Sequence, residues 1–349
     1  MRVLVTGHEG YVGSVLTERL RASGHMVTGL DTGFFAECLL GPAPAEVPTI
    51  RLDLRDVTAE DLAGIDAVVH LAALCNDPLG NLDPDLTYEI NLRSTVRLAK
   101  AAKEAGASRF LFSSSCSLYG SGATDVPLTE RPFLDESADF FPVTPYGESK
   151  IRAEQALAEL NDDDFSTAFL RNATAYGFSP RLRGDIVVND LTASALLTGE
   201  VRLMSNGLAW RPLIHVEDIA AAFDALLTVD RERIHGKAYN ITATDENYLI
   251  RDVAKIVSEV VAGSQVTFAE GAGTDLRNYR VSGDLVAKEI PEFAPRWTVR
   301  KGVEQLVEAY ERFGLTIEDF RGEPFQRIKR IQALQASGSV DGRLRWVNA

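Results

Sequence analysis

Over roughly the first 115 residues, short apolar runs alternate with longer stretches in which apolar positions recur at helical spacing. Arg2-Val3-Leu4-Val5, Met26-Val27-Thr28-Gly29-Leu30, Ala67-Val68-Val69-His70-Leu71 and Arg109-Phe110-Leu111-Phe112-Ser113 read as strands, and Tyr11 to Ala22 and Asn91 to Ala105 as helices. Strand and helix in alternation predict an α/β fold, a Rossmann-like doubly wound parallel sheet with helices on both faces. Gly120 to Val143, with Pro127, Pro132 and Pro142, reads as loop. A helix follows from about Thr144 to Leu160, with Thr144 as its N-cap and Pro145 in the first helical position. Ser166 to Leu170 and Lys237 to Ile241 read as further strands, whereas the segments near 178 to 235 and 245 to 349 are less regular. The expected organisation is a sheet domain over 1–177 with a further strand near 237–244. A mostly helical C-terminal lobe, 178–236 and 245–349, is interleaved with it.

Composition narrows the function classes. At 349 residues and 45% hydrophobic content the chain can bury a large core. A net charge of −14 disfavours a nucleic-acid backbone or an anionic membrane as partner, because like charge repels at long range. No apolar run approaches the ~20 residues of a spanning helix, and the chain opens directly on its first strand, so a cytoplasmic protein is expected. Cys38, Cys75 and Cys116 are odd in number and form no C-x-x-C pair, so buried thiols are expected. The histidines, His8, His25, His70, His215 and His235, are scattered, so no metal is expected.

Candidate chemistry begins at Thr6-Gly7-His8-Glu9-Gly10-Tyr11-Val12-Gly13, which sets Gly7, Gly10 and Gly13 between a strand and a helix. Such glycines allow a tight turn and a close backbone approach to a diphosphate, and the helix N-terminus offers oriented N–H donors. Asp31, 18 residues after Gly13, ends the second strand, where a carboxylate can accept from both hydroxyls of an adenine ribose. The same carboxylate repels a 2′-phosphate, and neither Thr32 nor Gly33 supplies a cation, so NAD is favoured over NADP. Tyr146 and Lys150, four apart, share one helical face. A free phenol is a poor base at neutral pH, but a nearby ammonium and a cationic nicotinamide favour its ionised form. The hydroxyl-rich run Ser113-Ser114-Ser115-Cys116-Ser117 lies at the carboxyl end of a strand, where open α/β sheets bind ligands.

In this order the motifs resemble the extended short-chain dehydrogenase/reductases, specifically their NAD-dependent nucleotide-sugar epimerase/dehydratase branch, over roughly residues 1 to 245. The resemblance implies a catalytic trio of Ser115, Tyr146 and Lys150. It implies NAD held by Gly7, Gly10, Tyr11, Val12, Gly13 and Asp31. Further cofactor contacts would come from Asp53 and Leu54 at the adenine, from Leu71, Ala72 and Ala73 beside the cofactor, and from Asn91, Ser113, Tyr146, Lys150 and Ala173. For a nucleotide-diphosphate sugar it implies Ser115, Ser117, Asn172, Asn189, Arg211, Arg277 and Tyr279, with Arg211 on the diphosphate. A homodimer, packed through the helices near 91 to 105 and 147 to 160, is also implied.

Departures from the family pattern matter as well. Sugar 4,6-dehydratases carry an Asp-Glu pair where Cys116 and Ser117 stand, which disfavours dehydration. Thr174 stands where many members have Asn, and Ala173 where some epimerases have a bulky aromatic. The expected activity is epimerisation of a nucleotide-sugar at C4 through a transient keto-sugar, with NAD held tightly and Tyr146 as base. A ketoreductase or dehydrogenase using the same trio is the alternative, ahead of a 4,6-dehydratase or a non-catalytic dinucleotide sensor. The loops Gly33 to Val47 and Gly120 to Val143 and the C-terminal lobe are expected to select nucleotide and sugar.

Overall fold

The computed structural model describes residues 1–75, 77–121, 131–273, 275 and 277–347. Seven parallel strands form the central sheet. From edge to edge they are Lys237–Ile241, Ser166–Asn172, Arg109–Ser115, Ala67–His70, Arg2–Thr6, Met26–Asp31 and Thr49–Arg51. The chain starts at Arg2–Thr6, builds outward to Thr49–Arg51, then crosses back to Ala67–His70. Strand order therefore reverses between Arg2–Thr6 and Ala67–His70, and crossovers leaving in opposite directions open a crevice at the carboxyl ends there.

Both faces of the sheet are dry, because successive side chains of a strand point opposite ways and each finds a helix. Val3 and Val5 pack with Leu16 and Leu20 of the helix Tyr11–Ala22 and with Phe223 of Val216–Thr228. Leu4 packs the other way, with Leu98 of Thr95–Glu104 and Leu157 of Pro145–Ala158. Each such side chain contributes about 1.5–3 kcal/mol by leaving water, so the central strand is pinned from both sides.

The helix that carries Tyr146 and Lys150 begins as its sequence predicts. The Thr144 hydroxyl accepts from the Gly147 N–H at 3.2 Å, and Pro145 occupies the first turn. The preceding helical segment differs from expectation. Its first part, Glu89–Ser94, is a wider π-helical turn that passes into the α-helix Thr95–Glu104. The Ser94 hydroxyl donates to the Glu89 carbonyl at 2.9 Å, a side-chain bond across that turn.

One other expectation is corrected, and one is refined. Within the expected loop 120–143, Phe133–Leu134 pairs in parallel with Arg280–Val281, while 122–130, including Pro127, lie outside the described residues. The C-terminal lobe is mostly helical, as expected, and also carries short sheets. Glu200–Ser205 pairs with Gln265–Gly273, and Trp210–His215 runs between Thr174–Tyr176 and Asn247–Leu249. Several of these strands have two or three residues, too short for their alternation to stand out from a loop in sequence.

The C-terminal segment returns to the sheet domain. The Arg55 guanidinium, 4% exposed, donates to the carbonyls of Arg343 at 2.8 Å and Leu344 at 2.9 Å while pairing with Asp53 at 2.6 Å. Trp346 donates from its indole to the Thr32 carbonyl at 2.7 Å and stands 5.5 Å from the Phe34 ring. Residues far apart along the chain thus wall one end of the crevice.

Candidate active site

A cleft of about 880 Å³ opens at the carboxyl ends of Arg2–Thr6 and Ala67–His70 and extends under the lobe. Gly7, Gly10, Tyr11, Val12 and Gly13 form its floor. Gly7 has φ +72, and a Cβ there would lie 2.9 Å from the Ala72 nitrogen; one on Gly13 would lie 2.1 Å from the Gly7 carbonyl oxygen. A side chain at either position would push the turn apart. The cradle for a dinucleotide diphosphate is therefore present in the backbone itself.

Asp31 borders the same cleft. Its carboxylate accepts the Glu9 N–H at 3.0 Å and the Gly33 N–H at 2.9 Å, which fixes its direction. Burial raises its pKa and the Gly33 N–H opposes that rise. A cation that spacing did not reveal, Arg51, lies beside Gly33, but both of its terminal nitrogens are bound by Glu9. The repulsion of a 2′-phosphate by Asp31 is thus left without an uncommitted counter-charge from Arg51. Asp53 and Leu54 line the cleft, and the Asp53 carboxylate is held by Arg55. Leu71, Ala72, Ala73, Ser113 and Ala173 line it as well.

Tyr146, Ser115 and Ser117 face the cleft together. The Ser115 Oγ accepts from the Ser117 N–H at 3.1 Å, and the Asn172 amide, also at the cleft, donates to the Ser113 Oγ at 3.1 Å. Among the described residues nothing partners the buried Ser117 Oγ or Asn172 Oδ1. Lys150 sits behind this row and is 3% exposed. Its ammonium donates to the Ser113 carbonyl at 2.7 Å and lies 4.5 Å from the Phe112 ring centre and 5.7 Å from that of Tyr146. Burial pulls its pKa down to about 8, so it still carries its charge at neutral pH. His70, between the hydroxyls of Thr6 at 2.6 Å and Thr95 at 2.8 Å, is pushed down to about 3 by burial and by Lys150, and stays neutral.

Arg211, Arg277 and Tyr279 border the lobe side of the cleft. Arg211 is 6% exposed, and its Nη2 donates to Asp275 at 2.6 Å; Arg277 reaches the same carboxylate at 3.2 Å. Burial lowers the Arg211 pKa. Two guanidiniums against one carboxylate leave local positive charge in an acidic protein, suited to a diphosphate.

Three of the residues named for the site, Lys150, Asn91 and Asn189, do not border the cleft, and one thiol is not buried as expected. Asn91 clamps the Leu74 backbone, accepting its N–H at 2.8 Å and donating to its carbonyl at 3.1 Å. Asn189 spends its amide on the Gly177 N–H at 3.0 Å and on the carbonyls of Gly177 and Arg183. Both are buried amides that satisfy loop backbone. Cys38 and Cys116 are buried, whereas Cys75 is partly exposed at the cleft. Among the described residues no group of His, Cys, Asp or Glu could hold a metal, and no helix is long and apolar enough to cross a membrane.

A profile of the NAD dependent epimerase/dehydratase family matches residues 3–242. The chain belongs to that family. It is similar to a UDP-glucose 4-epimerase of Mycolicibacterium smegmatis, 27% identical over 321 residues, covering 89% of this chain and 98% of that protein. It is also similar to UDP-glucuronic acid decarboxylase 4 of Arabidopsis thaliana, 24% identical over 97% of this chain and 73% of that one. Among solved structures, MoeE5 in complex with UDP-glucuronic acid and NAD superposes with a TM-score of 0.75 at 28% identity, over 89% of this chain and 99% of MoeE5.

Proposed function

We propose that the chain is an NAD-dependent nucleotide-sugar epimerase that inverts a sugar hydroxyl at C4. The observation that carries this is that neither residue at the positions of the dehydratases' extra acid and base, Cys116 or Ser117, brings a carboxyl group to the cleft beside Tyr146. At the dehydratase positions, Cys116 is 1% exposed, turns its thiol to the Arg171 carbonyl at 3.1 Å and has its pKa pushed up by burial. Ser117 offers only a hydroxyl. Elimination of water needs both an extra acid and an extra base; epimerisation needs neither.

Bound NAD supplies a reversible acceptor for the hydrogen on the sugar carbon. Tyr146 takes the hydroxyl proton at its phenolic oxygen, Ser115 orients the reacting oxygen, and the buried Lys150 ammonium favours the ionised phenol. Arg211 and Arg277 hold the diphosphate, and epimerisation requires the keto-sugar to turn its other face to the cofactor. The relatives supporting this reading include one that epimerises UDP-glucose at C4. Protein purified without added cofactor is expected to convert UDP-glucose to its C4 epimer with no net build-up of NADH. NADH formed in proportion to sugar consumed would refute it in favour of a dehydrogenase.

The same reading predicts that Arg211→Met raises KM for the nucleotide-sugar by at least about 10-fold while kcat changes little. Steady-state kinetics with cofactor in excess check this. The diphosphate is bound equally in ground and transition states, so its loss belongs in KM.

A further inference from the structure

The cleft carries a second pair of guanidiniums, apart from Arg211 and Arg277. Arg183, in the loop before the helix Val187–Thr198, and Arg327, at the start of the helix Arg327–Ala336, both border it. Arg183 is engaged by Asp185 at 2.8 and 3.1 Å, and its Nη1 meets the Cys75 sulfur at 3.6 Å. Arg327 is 2% exposed. Its Nη2 donates to the Arg181 carbonyl at 3.0 Å and its guanidinium carbon lies 4.2 Å from the centre of the Phe35 ring. Among the described residues nothing accepts from its Nη1.

Asp185 thus stands against two buried cations. Burial and the like charge of Arg183 both lower the Arg327 pKa, as befits a cation short of an anion. The site is also placed informatively. Arg183 and Arg327 are within charge reach of Tyr11, which follows Gly10 of the turn, and Arg327 stacks on Phe35 of the loop that follows Asp31. The glycine turn cradles the diphosphate of a bound dinucleotide, and the end of the second strand meets its adenine ribose, so the two arginines stand next to both segments. Arg211 and Arg277, by contrast, share Asp275.

We propose that Arg327, backed by Arg183, is a diphosphate-binding site for the dinucleotide, so that the cofactor is gripped from the C-terminal helix as well as from the glycine turn. The proposal rests on the cofactor and is independent of which sugar carbon reacts. The alternative source of the same chemistry, the diphosphate of the nucleotide-sugar, is separated by experiment.

Full-length protein freed of cofactor is titrated calorimetrically with NAD, ADP-ribose and adenosine, and NAD-saturated protein with UDP. Arg327→Met keeps the stem over Phe35 and removes the charge. It is expected to weaken NAD and ADP-ribose by about 10- to 100-fold, to leave adenosine and UDP within about 2-fold, and to flatten the salt dependence of NAD binding. Unchanged NAD and ADP-ribose affinity overturns the proposal, and so does a loss confined to UDP. Should that variant unfold, Arg327→Lys retains charge without the fork of donors. It is expected to weaken NAD by about 5-fold or more at an unchanged melting temperature, and full wild-type affinity there also overturns the site. Wild-type protein that binds neither NAD nor ADP-ribose would instead sink the cofactor reading itself.

Discussion

Tyr146→Phe should lower kcat by about 10³-fold, within the usual span for removing a general base, while NAD affinity stays within a few-fold of wild type. The ring remains against the cleft and only the phenolic oxygen is lost, so the damage falls on proton transfer and not on binding. Single-turnover conversion of a nucleotide-sugar, with calorimetric titration of NAD, separates the two. Undiminished turnover would remove Tyr146 from the mechanism, and a parallel collapse of NAD binding would mark it as a positioning residue.

Lys150→Met should abolish most turnover and yet stabilise the fold near pH 7. Burial holds the Lys150 pKa at about 8, below the 10.5 of an exposed lysine. Below pH 8 both folded and unfolded chains carry the charge, and the fold bears the whole cost of burying it, on the order of 3 kcal/mol. Between about pH 8 and 10.5 the folded lysine is neutral while the unfolded one still binds its proton, so wild-type stability rises with pH relative to the variant. Methionine forfeits the hydrogen bond to Ser113 and the contact with Phe112, which trims the expected gain to about 1–3 kcal/mol. Urea unfolding of both proteins from pH 6.5 to 10 measures this. A gap that widens above pH 8 contradicts the burial argument.

Much of the candidate site was legible because it is local. The glycine turn sits between a strand and a helix, Tyr146 and Lys150 are one helical turn apart, and Ser113 and Ser115 end a strand with Ser117 in the turn just after it. Their chemistry follows from spacing along a regular element. The sheet was legible for the same reason, since its strands are apolar runs flanked by helical periodicity. Arg183 and Arg327 carried no such signal. They come from a loop and a late helix, and tertiary packing alone brings them to one wall. Arg51 went unnoticed because its neighbour Gly33 lies on an adjacent strand's continuation, not nearby in sequence. Asn91 and Asn189 mislead in the opposite sense: an amide suits ligand and backbone equally, and only the fold decides which it meets.

The closing wall of the crevice has a consequence for assembly. Leu344 and Ile331 line the same cavity as Gly7 and Asp31. The glycine turn is made more than three hundred residues before Ile331 and Leu344, and its enclosure awaits them. Cofactor therefore cannot lend its full binding energy to a half-made chain. Once it is captured, a pull on the late segment alone should loosen the adenine end and leave the early sheet intact.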